Sequence, residues 1–235
     1  MKRRALLIVA AATGMLAAPQ AAPAATVTTM VAGKTGMLRE ARPVRIVEKR
    51  RVEVDGRRCA VAGATPLGVL AGTGLPLRIR DYGRCGRRTA DAASLFVTRI
   101  GSERNRGQDG WVYKVGRIVS SAGAGDRSGR RLRGGDRLLW FYCRQRAGGC
   151  QRTLEAVPDR TAAAPGEVVR VRVRGFDDQG RGIPVAGATV RLGTAAATTG
   201  PDGTAELAVP GPGRLALTAE RPGMVAAFPG EVRAG

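Results

Sequence analysis

The 235-residue sequence contains no histidine, and this absence removes several kinds of active site. Ser-His-Asp and Cys-His arrangements need an imidazole as general base, and zinc sites commonly use histidine ligands. The serines lie in no nucleophile motif, and the eight acidic residues of segment 49–153 are mostly flanked by arginines instead of forming a recognisable catalytic pair. We therefore predict a non-catalytic protein that uses no cofactor and no bound metal.

Long hydrophobic runs are also scarce. The one clear run, Ala5–Ala18, follows three basic residues and precedes a stretch of small residues, which is the layout of a secretory signal. It is shorter than the roughly 20 residues that span a bilayer. We predict a signal peptide over residues 1–24 and no transmembrane segment in the mature chain. The protein is then secreted, extracellular or loosely associated with the cell wall.

Aromatic residues make up only 4% of the chain, and most of them lie in two short runs, GWVYKVG and LLWFYC. Large aromatic side chains most often form the core of a small β domain. Alternation along a strand nevertheless directs Phe141 away from Trp140 and Tyr142. The sequence therefore favours a core and leaves open a ligand platform, whose candidate residues are Trp111, Tyr113 and Phe141.

The sequence has four cysteines, an even number that fits an exported protein with two disulfides. Four cysteines allow three connectivities. The pairs Cys59–Cys85 and Cys143–Cys150 close the shortest loops, so we predict these two disulfides.

Positive charge is abundant and unevenly distributed. Arginine outnumbers lysine 35 to 4, which GC-rich codons would produce in any part of the chain. Residues 49–153, however, carry 23 basic and 8 acidic side chains, whereas residues 154–235 carry nine of each. Codon bias acts on both segments alike, so the asymmetry indicates a charge-dependent partner. The candidate polyanion-binding residues are Arg78, Arg80, Arg84, Arg87, Arg88, Arg130, Arg131 and Arg133.

The pattern of the first half of the chain predicts a small domain with one helix. Residues 25–48 show no strong period and are predicted to be a leader segment. Segment 49–153 contains about five strand candidates. It also contains one helix signal, in which Thr65 caps a helix with Pro66 at its first position.

The second half, residues 154–235, has a cleaner β pattern. Val169, Val171 and Val173 alternate with arginines, which predicts a strand with one buried face. Turn signals follow about every 8 to 12 residues, as in a β-sandwich.

The order of motifs resembles known families. RVEVDG, ATPLGVL, DYG, GWVYKVG and GGDRLLWFYC are similar to the family that includes the C-terminal domain of transcobalamin and bacterial domains of unknown function. That resemblance implies a β-grasp-like domain at 49–153 and, in some members, contact with corrinoids or other soluble ligands. VAGATVRL, TTGPDGTAEL and PGRLALTAERPG resemble bacterial immunoglobulin-like or transthyretin-like modules at 154–235.

Three functions follow as hypotheses. The first is association with anionic envelope or extracellular polymers through the arginine-rich domain. The second is capture of a corrinoid-like or other small molecule by the aromatic sheet, and the third is a secreted enzyme. Nucleic acid is not expected as a partner, because no recognised nucleic-acid module is present.

Overall fold

A computed structural model describes residues 24–129 and 131–235, and these residues form a mainly β protein, as predicted. The predicted signal peptide, apart from Ala24, and the candidate Arg130 lie outside the described residues. In the part of the chain that the structure describes, no helix has both the length and the apolar character needed to cross a membrane.

The N-terminal domain contains ten strands, one α-helix and one 3-10 helix at Thr89–Ser94. The remaining elements are β1 (Thr26–Ala32), β2 (Met37–Arg45), β3 (Lys49–Val54), β4 (Arg57–Ala62), α1 (Pro66–Ala71), β5 (Leu77–Asp81), β6 (Leu95–Ile100), β7 (Glu103–Arg104), β8 (Gly110–Val115), β9 (Ile118–Val119) and β10 (Arg137–Cys143).

The main sheet of this domain has the β-grasp topology. Its strand order is β2-β1-β10-β8-β9, and β1 runs parallel to β10 at the centre while the other neighbours are antiparallel. Helix α1 packs on one face, where Leu67 and Leu70 share a core with Trp140. The hairpin β3–β4 and the three-stranded sheet β5-β6-β7 extend this core. The β-grasp prediction is confirmed.

The structure differs from the prediction of a separate leader over residues 25–48. Strands β1 and β2 come from that segment, and β1 lies between β2 and β10. Both faces of β1 are covered, because Val27 and Val31 face the core under α1 while Met30 and Ala32 face the other side. A strand buried on both faces lacks the alternation of polar and apolar residues by which strands are recognised.

Helix α1 begins where the sequence predicted. Thr65 has extended backbone angles, and its hydroxyl accepts a hydrogen bond from the amide of Gly68 at 3.2 Å. Pro66 occupies the first turn, where an amide hydrogen has no helical partner.

Both predicted disulfides are present. Cys59 of β4 is bonded to Cys85, and Cys143 at the end of β10 is bonded to Cys150. The first bond ties the segment after β5 to the β3–β4 hairpin. The second closes the loop that leads into the C-terminal domain.

The C-terminal domain is a sandwich of two sheets, as predicted. Its strands are β11 (Thr153–Pro158), β12 (Ala162–Ala163), β13 (Val168–Phe176), β14 (Gly182–Pro184), β15 (Thr189–Leu192), β16 (Ala195–Thr198), β17 (Thr204–Ala208), β18 (Gly213–Glu220) and β19 (Gly230–Ala234). One sheet contains β11, β13, β14 and β17, and the other has the order β12-β19-β18-β15-β16. Val169, Val171 and Val173 of β13 are fully buried between them.

The two domains share a third, smaller core. Met30, Leu139 and Phe141, on the face of the main sheet opposite α1, pack with Val225 and Phe228 of the C-terminal domain. The β-grasp sheet is therefore covered by its helix on one side and by the sandwich on the other.

Candidate functional site: an arginine surface on the N-terminal domain

Strand β5 presents two arginines to solvent. Arg78 and Arg80 are exposed, whereas Ile79 between them is buried. This is the alternation expected of an edge strand with one buried face. The neighbouring strand β6 places Phe96 directly opposite Arg80.

The segment that follows β5 carries three more exposed arginines, Arg84, Arg87 and Arg88, and a buried carboxylate holds it in place. The Asp81 side chain is 1% exposed. It accepts hydrogen bonds from the Ser94 hydroxyl at 2.6 Å and from two backbone amides, Cys85 at 2.8 Å and Gly83 at 2.9 Å. The Ser94 bond contributes most to lowering the pKa of Asp81 below its usual 3.8, so the side chain stays ionised near neutral pH.

An exposed aromatic pair lies beside these arginines. Tyr82 is 67% exposed and Phe96 47% exposed, and their ring centroids are 6.3 Å apart in an edge arrangement. The Arg80 guanidinium carbon lies 5.1 Å from the centre of the Tyr82 ring, within the range of a cation–π contact. We call this group the β5 surface, and it consists of Arg78, Arg80, Tyr82, Arg84, Arg87, Arg88 and Phe96.

The β5 surface contains only some of the eight arginines predicted to bind polyanions. Five belong to the β5 surface. Arg131 and Arg133 belong to a different segment, where both are exposed on either side of buried Leu132, whose amide donates to the Ala64 carbonyl just before α1. Arg130 lies outside the described residues.

The arginines of the β5 surface differ from those of the C-terminal domain in their partners. Within residues 24–129 and 131–235, none of the five forms an ion pair with a carboxylate; the nearby Arg57 is the cation that pairs with Asp81, at 3.2 Å. Among residues 152–235 most arginines have an acidic neighbour: Arg152 and Arg181 with Asp177, Arg160 with Asp159, Arg170 with Glu206, Arg191 with Glu220, and Arg214 and Arg233 with Glu231.

The structure contradicts the aromatic platform proposed from sequence. Trp111 and Tyr113 are buried in the core under α1, and Phe141 is buried between the domains. Their polar atoms are also satisfied internally: Trp111 Nε1 donates to the Glu103 carbonyl at 3.0 Å, and the Tyr113 hydroxyl donates to the Ala122 carbonyl at 2.7 Å. These rings form the core, and Tyr82 and Phe96 are the exposed aromatic residues that sequence analysis did not identify.

The sequence contains little that would identify Tyr82 and Phe96 as exposed residues. Tyr82 follows the strand in the motif DYG, and Phe96 lies in LFVTRI, where Leu95 and Val97 are the buried neighbours. In LFVTRI three apolar residues are consecutive, so period-two alternation does not reveal which of them faces solvent.

The fold and the surface define a two-domain β protein with an exposed group of cationic side chains. Among the residues that the structure describes, no cluster of three or more histidine, cysteine, aspartate or glutamate side chains is placed to hold a metal ion. No family model matches the chain, and no curated protein matches its sequence. The resemblance to the transcobalamin C-terminal family therefore rests on motif order.

One solved structure to which the chain is similar is the "D00-D0 domain of Intimin". The alignment covers 60% of this chain and 89% of that structure, at 15% identity and a TM-score of 0.30. A likeness this low supports no argument about the function of this chain.

Proposed function

We propose that this protein is an exported, non-catalytic binding protein that associates with anionic envelope or extracellular polymers through the β5 surface. The observation that carries the proposal is the contrast in charge pairing. Arg78, Arg80 and the three arginines after Asp81 have no carboxylate partner among the described residues, whereas most arginines of the sandwich do.

Charge pairing matters because an arginine already bound to a carboxylate contributes little to the field that a distant polyanion experiences. Exposed arginines without carboxylate partners, on one strand and in the segment that directly follows it, add their fields and together raise the local concentration of a polyanion. Each guanidinium also offers a planar fork of donors that matches phosphate and carboxylate groups. Asp81 and the Cys59–Cys85 disulfide hold the segment of residues 82–88 in place, so less conformational entropy is lost on binding.

The test uses the full-length protein, because the two domains share a core. The variant Arg78→Glu/Arg80→Glu/Arg84→Glu reverses three charges on the β5 surface. The matched control Arg160→Glu/Arg170→Glu/Arg214→Glu reverses three exposed arginines of the sandwich that each face a carboxylate, and it changes the net charge equally. We expect the salt concentration that elutes the protein from immobilised teichoic acid to fall sharply for the first variant and little for the control.

An equal decrease in both variants would show that only net charge matters and would refute the assignment to the β5 surface. Salt screens exposed charges over about 8 to 10 Å at 0.10 to 0.15 M and over about 3 Å at 1 M. Retention of the unaltered protein that persists unchanged at high salt would therefore contradict an electrostatic mechanism.

A further inference from the structure

A cleft of about 700 Å³ lies between the two domains and borders their shared core. On the N-terminal side it is lined by the β1–β2 turn and by the segment that follows β10. On the C-terminal side it is lined by β15, by the end of β18, by residues 221–227 and by Pro229. Its volume is in the usual range of small-molecule sites, roughly 300 to 1,000 Å³.

The floor of the cleft is apolar and rich in methionine. The three methionines of the described part of the chain border it: Met37 and Met224 are half-buried, and Met30 is buried beneath them in the core between the domains. Val225, which is buried in the core between the domains, continues the apolar floor. Methionine is flexible and polarizable and is over-used at surfaces that accept varied apolar ligands.

The rim of the cleft is cationic. It carries Lys34, Arg144, Arg146, Arg191 and Arg221, against the two acids Glu40 and Glu220. Glu220 already faces Arg191 at 4.0 Å. Neither the Arg146 nor the Arg221 guanidinium has a hydrogen-bond or ion-pair partner among residues 24–129 and 131–235.

The N-terminal side of the rim is held in place. The Lys34 amide donates to a Glu103 carboxylate oxygen at 2.7 Å, and its ammonium lies 4.3 Å from the centre of the Tyr142 ring. The Arg144 guanidinium donates to the Lys34 carbonyl. The turn that borders the cleft is therefore fixed to the β-grasp sheet before any ligand enters.

We propose that this cleft is a binding site for an anionic amphiphile, a linear hydrocarbon chain with one carboxylate head. The chain would lie against Met37 and Met224, the two half-buried methionines of the lining, where burial of apolar surface stabilises it. The head would be bound at the rim by Arg146 and Arg221, whose guanidinium groups lack a partner. This site is distinct from the β5 surface and does not depend on polymer binding.

The test is calorimetric titration of the full-length protein, below the micelle concentration, with three probes of equal chain length: decanoate, decanol and decyltrimethylammonium. We expect decanoate to bind with a 1:1 stoichiometry, and decanol to bind about a hundredfold more weakly because it lacks the charge-assisted hydrogen bonds to both arginines. The cationic probe should bind more weakly still, because the rim repels it.

Two variants locate the site. Arg221→Gln should weaken decanoate binding by about tenfold, the scale of one charge-assisted hydrogen bond, and leave decanol binding unchanged. Met224→Gln should weaken the binding of both decanoate and decanol. If the Met224→Gln variant does not fold, Met37→Gln serves in its place. The triple variant of the β5 surface should bind decanoate as the unaltered protein does, which separates this result from the test of the proposed function.

Equal affinity for decanoate and decanol would overturn the proposal, and so would the absence of saturable decanoate binding. Decanoate binding that neither Arg221→Gln nor a methionine variant changes would also overturn it, because the ligand would then lie elsewhere.

Discussion

A single carboxylate, Asp81, organises the segment that carries most of the β5 surface. It accepts hydrogen bonds from Ser94, Gly83 and Cys85 and pairs with Arg57 at the surface. Hydrogen bonds to a charged group are worth about 1.5 to 3 kcal/mol, more than those between neutral groups. The position of Arg84 and its neighbours therefore depends on an acid, although the surface itself is basic.

Replacing Asp81 with asparagine should lower the free energy of unfolding by about 1.5 to 3 kcal/mol at pH 7, because an amide cannot accept so many hydrogen bonds and carries no charge. The pKa of Asp81 is lowered in the folded state. Its contribution is therefore complete above the usual pKa of 3.8 and is lost as the pH falls through the folded value. Urea unfolding at pH 7 and at pH 3 measures both effects.

The Asp81→Asn variant and the unaltered protein should thus differ less in stability at pH 3 than at pH 7. Asp91→Asn, on the 3-10 helix, is a matched control with the same chemical change. A stability difference for Asp81→Asn that is constant from pH 7 to pH 3 would contradict the role assigned to the ionised carboxylate.

Strand β10 shows how one strand can serve two cores. Trp140 faces α1, with its ring centroid 5.2 Å from that of Tyr113, whereas the next residue, Phe141, faces the sandwich. Both side chains are fully buried. Adjacent residues of a strand point to opposite faces, so each can be altered without touching the other's neighbours.

We predict that Trp140→Ala and Phe141→Ala each cost about 3 to 5 kcal/mol but open different parts of the molecule. Trp140→Ala should increase hydrogen exchange in α1 and β8 while β13, in the separate core of the sandwich, keeps its protection. Phe141→Ala should expose the amide of Val225, which donates to the Arg152 carbonyl at 2.9 Å. Hydrogen-exchange mass spectrometry with peptide resolution distinguishes the two patterns.

Phe96→Ala provides the control, because that ring is exposed and its removal should change stability by no more than about 0.5 kcal/mol. Identical exchange patterns in the Trp140 and Phe141 variants would show that the two faces of β10 belong to one cooperative core, contrary to this prediction.

The two domains are joined by an unusual polar contact as well as by the shared apolar core. Lys114 of β8 is fully buried, and its ammonium donates to the carbonyls of Phe176 and Asp177, at 3.1 and 2.8 Å, and to the Thr153 hydroxyl at 3.2 Å. Burial lowers its pKa from the usual 10.5 to about 8, partly offset by Asp178 and Asp177. A buried charge is tolerated here because three oxygen atoms accept hydrogen bonds from the ammonium.

The lowered pKa of Lys114 predicts an unusual dependence of stability on pH. Between pH 8 and 10.5 the unfolded state holds more protons at this lysine than the folded state does, so stability should rise with pH in this window. The free energy of unfolding of the unaltered protein, minus that of Lys114→Met, should increase on the order of 3 kcal/mol from pH 7 to 10.5. Urea unfolding of both proteins across this range is the measurement.

The prediction concerns the difference in free energy of unfolding between the two proteins, because other groups also titrate in this pH window and their contributions cancel in the difference. Lys49→Met, at an exposed lysine of β3, supplies a second comparison. A stability difference for Lys114→Met that falls as the pH rises would mean that the protonated ammonium stabilises the folded state more than its burial costs, and the predicted sign would be wrong.

The sequence by itself determined the features that depend on local chemistry. Thr65 and Pro66 fixed the start of α1, the alternation of valine and arginine fixed the buried face of β13, and the short loops between cysteines favoured the two observed disulfides. In each of these cases the deciding interaction joins residues that are near one another in the chain, or follows from a strand with one wet face.

Tertiary structure decided what depends on distant partners. Strand β1 was not recognised because α1 covers one of its faces and the sandwich covers the other, so its sequence shows no alternation. Phe141 is buried because Val225 of the second domain packs against it, which its position in the strand does not reveal. Lys114 has the sequence context of an ordinary surface lysine, but three oxygens from the second domain surround its ammonium. Whether a side chain is core or surface depends on what the folded chain brings to its other side, and these partners lie far along the chain: Leu67 for Val31, Thr153 for Lys114 and Val225 for Phe141.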